Sequence, residues 1–143
     1  MPDIYESIML GGSTRNVEYL GIFVAWLTSN NLLSAEIERS SGSAIARVRM
    51  QDLSGQAFLT TVLHGELKAA HLNETGQKFS ESYFVSGKYR EDYDSSNVRG
   101  ENDWHDYDEV APKISSAFRK FNTPKPKLAK MVAKILKFPG PSR

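Results

Sequence analysis

The sequence predicts an all-α protein, a compact single-domain bundle of about six helices, on three observations. Val17 to Leu33, VEYLGIFVAWLTSNNLL, is the longest nearly unbroken apolar run and is apolar around most of a helix's circumference. Apolar residues recur from Val110 through Ile114, Ala117 and Phe118 to Phe121 at the spacing of an amphipathic helix. No alternating run is long enough for a well-defined strand, and only Glu66 to His71 allows a very short strand pair.

The totals fit one domain that buries a real core: 143 residues, 40% hydrophobic and 24% charged. The absence of cysteine excludes disulfides, thiolate catalysis and cysteine-ligated zinc or iron–sulfur sites, and it suits a reducing cytoplasm. MPDIYESIML lacks the basic start and apolar stretch of a signal peptide, so cytoplasmic residence is expected. The net charge of +1 hides an asymmetry. Residues 1 to 112 hold all 17 acidic residues against nine basic ones, a net −8, and residues 113 to 143 hold nine basic residues and no acid, a net +9.

In chain order, residues 1 to 12 read as an irregular lead-in ending at Gly11-Gly12. A central helix follows over about residues 16–31, with Ser13, Thr14 or Asn16 as its cap. Its apolar core is half the ~20 residues a bilayer requires, so it is a core helix and no membrane contact is expected. Ser34 caps a segment that loosens at Ser40-Ser41-Gly42, and a helical pattern resumes with Ala44, Ile45 and Val48. Ser54 caps a helix carrying Phe58, Leu59, Val62 and Leu63, which His64-Gly65 ends. Asn73 caps the next helix, with Phe79, Tyr83 and Phe84, running on through Tyr89 to Tyr93 against the cost of Gly76 and Gly87. A polar loop leads to Trp104, and Asp106 or Asp108 caps the helix to Phe121, with Pro112 in its first turn. These elements make up an acidic helical body, residues 1–121. Residues 122–126 are a proline-containing linker. Residues 127–143 are a basic amphipathic helix and tail, with Leu128, Met131, Val132, Ile135 and Leu136 on one face, docked on the body.

Chemistry-bearing motifs are sparse. His64, His71 and His105 lack the spacing of a zinc site, and Asp103, Asp106 and Asp108 lack the glycine and terminal glutamate of a calcium loop, so no metal and no cofactor is expected. No serine lies in a GxSxG elbow. Gly11-Gly12-Ser13-Thr14 precedes a helix but lacks the lysine of a phosphate loop. The basic tail can contact phosphates, lie on an anionic membrane or fold back on the acidic body, and the body's negative charge disfavours the first two.

The segments YLGIFVAWLTSNNLLSAEI, LSGQAFLTTVLHGELKAAHLNETGQKFSESYF, YREDY and NDWHDYDEVAPKISSAF resemble an uncharacterised bacterial family whose pattern runs HIGMFLAW, TGRDFL, DGKL, EG-x-x-F, DY and DTW. Gly21, Trp26, Gly55, Phe58, Gly65, Leu67, Leu72, Gly76, Phe79, Tyr89, Asp92, Tyr93, Asp103, Trp104 and Tyr107 stand at matching positions, from about Asn16 to Phe121. Tyr19 replaces the pattern's histidine and His64 its aspartate, which counts against catalysis at either position. Proteins of this kind resemble immunity proteins encoded beside polymorphic or type VI secreted toxins. The resemblance implies a non-enzymatic protein whose partner is a cognate toxin. The expected contact surface is the acidic stretch Glu91, Asp92, Asp94, Glu101, Asp103, Asp106 and Asp108, with Trp104 and Tyr107 as aromatic anchors. Two alternatives from other classes are a metal-dependent hydrolase using Asp103, His105 and Asp106, and nucleic-acid binding through the lysine-rich last helix.

Overall fold

The fold is built on helix α1, Thr14–Ser29, in a computed structural model that describes residues 4–7, 14–96, 98 and 103–123. Every residue from Tyr19 to Thr28 is buried, as expected for a helix with so little polar surface. Thr28 is accommodated because its hydroxyl donates to the Val24 carbonyl at 2.7 Å. Trp26 is 1% exposed. Its ring centroid lies 5.4 Å from that of Phe79 and 5.3 Å from that of Phe118, and its indole N–H donates to Ser115 Oγ at 3.0 Å, so both the ring and its polar edge have partners.

Three short helices follow α1: α2 is Ala35–Ser40, α3 Gly42–Arg49 and α4 Gly55–Thr61. Two of them, α3 and α4, pack on it. The α1–α4 approach is close because both chains present glycine there: a Cβ built on Gly55 would lie 2.0 Å from the Gly21 carbonyl oxygen. Three of the predicted caps are in place, with Ser34 accepting from the Ile37 N–H at 3.2 Å, Ser54 from Ala57 at 3.1 Å and Asn73 from Gly76 at 2.8 Å.

The lead-in is more ordered than the sequence suggests. Ile4–Ser7 forms β1 and pairs antiparallel with β2, Glu66–Lys68, with an irregularity at Tyr5. Tyr5 is buried, and burial followed by the nearby Glu81 carboxylate pushes its phenol pKa up to about 12. A single 3-10 turn, Ala69–His71, follows β2. Leu33 bridges to Leu72, which ties the end of α1 to this corner.

The predicted helix from Asn73 to Tyr93 is in fact two. α5, Glu74–Ser80, continues into one π-helical turn, Glu81–Val85. Gly87, at φ +96°, then reverses the chain before α6, Lys88–Asp94. α7, Asp103–Asn122, starts earlier than expected, so neither Asp106 nor Asp108 is its cap and Pro112 sits in its interior. Pro112 is exposed, and its ring both removes the hydrogen bond to the Asp108 carbonyl four residues back and crowds that carbonyl. The described residues thus form seven α-helices and one two-stranded pair, an all-α fold. None of these helices is long and apolar enough to cross a membrane. α7 ends within the expected linker, and residues 124–143, including the basic amphipathic segment, lie outside the described residues, as does Gly11-Gly12-Ser13.

Candidate functional site

An open groove of about 860 Å³ lies between the π turn, α6 and the second half of α7. Local structure explains each wall. Phe79 and Tyr83, four residues apart, stack at 5.1 Å with their planes 10° apart, and Phe121 meets Phe79 edge-on at 5.4 Å. Phe79 and Tyr83 are buried and close the groove from beneath, and the half-buried Phe121 and Ala117 supply its accessible apolar floor.

The tyrosines of α6 fix its orientation. The Tyr89 hydroxyl, fully buried, donates to the Tyr19 carbonyl at 2.6 Å, and the Tyr93 hydroxyl donates to Glu18 Oε1 at 2.9 Å. With both tyrosines turned toward α1, the intervening Glu91 and Asp92 line the groove. Asp92 accepts the Tyr83 phenol at 2.6 Å. Burial, reinforced by that hydrogen bond and the carboxylate's charge, holds the Tyr83 pKa far above its ordinary value, so it remains a donor. From α7, Lys113 donates to Ser95 Oγ at 2.8 Å and reaches the Asp92 carbonyl at 3.5 Å. Lys88 and Lys120 also line the groove, and neither has an ion pair among the described residues.

The structure divides the expected contact surface. Glu91 and Asp94 are exposed on α6, and Asp108 is exposed on α7. Asp106 is 0% exposed, which corrects its assignment as a surface contact. It lies one turn before Val110, itself one turn before Ile114, so it extends the row of α7 that faces the core. Trp104 and Tyr107 are half-buried, meet edge-on at 5.0 Å, and line a separate narrow cleft with Gly21, Ile22, Ala25, Gly55 and Gln56. Burial raises the Tyr107 phenol, whose hydroxyl hydrogen-bonds Ser29. The aromatic pair therefore covers the α1–α4 crossing instead of flanking Glu91. Glu101 lies outside the described residues, and Asp103 is described by its backbone alone.

Among the described residues no three His, Asp or Glu side chains are grouped to hold a metal ion. His71 Nδ1 accepts the Lys68 N–H at 3.1 Å, and burial first, then the Lys68 charge, lowers its pKa. The groove lysines were missed in the sequence, although Lys113, Ser116, Ala117 and Lys120 are spaced to share one helix face. That signal was masked by reading the region only for its apolar stripe.

Fold and site together define an all-α domain with an apolar-floored groove of mixed charge. The chain belongs to the family described as "Domain of unknown function (DUF7832)", whose model matches residues 13–113. That span includes the α5 and α6 walls of the groove and Lys113, and stops before Ser116, Lys120 and Phe121. No curated protein and no solved structure matches the chain.

Proposed function

We propose that this protein works by binding: it is an immunity protein that acts in the cytoplasm and neutralises a secreted bacterial toxin by covering the toxin's active site. The observation that supports it is the placement of Glu91 and Asp94, both exposed, on α6 beside an open groove in which Phe121 is half-exposed. Exposed carboxylates steer a cationic cleft into place, and aromatic surface supplies the buried anchor that interfaces favour. The body's net −8 over residues 1 to 112 acts in the same direction at longer range.

The test is binding to the product of the adjacent gene. A Kd on the order of 1 nM is expected, with an association rate that falls as salt rises. Glu91→Lys with Asp94→Lys slows association at least about tenfold while leaving the melting temperature in place. No binding, or binding that neither salt nor the double variant changes, ends this reading.

A further inference from the structure

The groove differs in charge from the helix edge beside it. Of its charged groups, Asp92 is held by Tyr83 and Lys113 by Ser95. That leaves Lys88, Lys120 and Glu91 without an ion pair among the described residues, two cations against one carboxylate. The two lysines come from different walls, one from the start of α6 and one from the last turns of α7, and between them the accessible apolar surface is that of the half-buried Ala117 and Phe121, backed by the buried Phe79 and Tyr83.

An apolar floor with uncommitted ammonium groups on both walls suits a side chain that is apolar at its base and flanked by carboxylates. We infer that the groove receives an acidic peptide segment of the protein partner, its apolar side chain against the half-buried Phe121 and Ala117 and its carboxylates at Lys88 and Lys120. This rests on the binding-protein reading and adds the partner's chemistry to it. The partner presents cations to Glu91 and Asp94 and an acidic loop to the groove, and a uniformly basic surface is rejected by the lysines.

The probe is the peptide acetyl-Asp-Phe-Glu-amide, with acetyl-Asn-Phe-Gln-amide as its neutral twin, each titrated into the isotopically labelled full chain. The acidic peptide is expected to saturate with a Kd on the order of 1 mM and to shift the amides of Ser82, Tyr83, Glu91, Ser116 and Lys120. The neutral twin binds about fivefold more weakly, and Lys88→Gln with Lys120→Gln removes that difference without moving the melting temperature, since both lysines are exposed. Equal binding of the two peptides, shifts mapping elsewhere, or displacement by inorganic phosphate alone overturns the inference. No toxin is needed, so its outcome is independent of the binding test above: a chain that takes the acidic probe and ignores the adjacent gene's product retains the groove chemistry and loses the immunity reading.

Discussion

The α1–α4 crossing and the α6–α7 groove are built from opposite materials. At the crossing, Gly21 and Gly55 bring backbone against backbone, and Trp104 and Tyr107 cover the contact. At the groove, side chains hold the helices apart: stacked rings close it from beneath, and lysines and carboxylates occupy the walls. Close packing leaves no room for a partner but concentrates stability, whereas an open mixed-charge wall contributes little to stability and leaves groups available for recognition. Substitutions should therefore separate stability from binding according to region.

The largest effect belongs to Trp26, which joins α1 to both α5 and α7. Trp26→Ala should cost about 3–5 kcal/mol in a denaturant titration, a large share of a domain's stability. A loss below about 1 kcal/mol would show that α1 does not carry the core. Gly55→Ala comes next, because its methyl carbon would meet the Gly21 carbonyl at 2.0 Å and the helices must part. About 3 kcal/mol is expected by thermal or chemical melting, and an unchanged midpoint would mean the crossing is loose.

On the groove side, Tyr83→Phe keeps the ring stack and removes only the donor to Asp92. A smaller cost, about 1–2 kcal/mol, is expected, and a loss as large as that of Gly55→Ala would erase the contrast between the regions. The smallest effect is titration at His71, which lies in neither. Its folded pKa is lowered, so its neutral form stabilises the fold fully above the unfolded value of about 6.5, and this contribution is lost as pH falls from there through the lower folded value. Between about pH 7.5 and about pH 5, wild type should lose more stability than His71→Gln; parallel curves would remove His71 as a cause.

Much of the fold was legible. α1 announces its burial because eight residues in a row with little polar surface have nowhere else to go, and Ser34, Ser54 and Asn73 announce helix starts because a cap is a bond to an N–H only a few residues away. The site was legible only in part. Charge alone marks Glu91, Asp92 and Asp94 as an acidic stretch, but composition does not show that Asp92 faces Tyr83 or that Asp106 continues the Val110–Ile114 row into the core. Once the start of α7 was misplaced, Asp106 read as a solvent-facing cap.

The sequence by itself determined the class of fold, the central helix, the caps at Ser34, Ser54 and Asn73 and the acidic character of the body, because each follows from local periodicity, short-range hydrogen bonds or simple charge. Only the tertiary structure decided the β1–β2 pair, the π turn, the glycine crossing and the groove. All but the π turn depend on residues far apart in the chain, such as Ile4 with Lys68, Gly21 with Gly55 or Phe79 with Phe121, whose meeting no local pattern encodes.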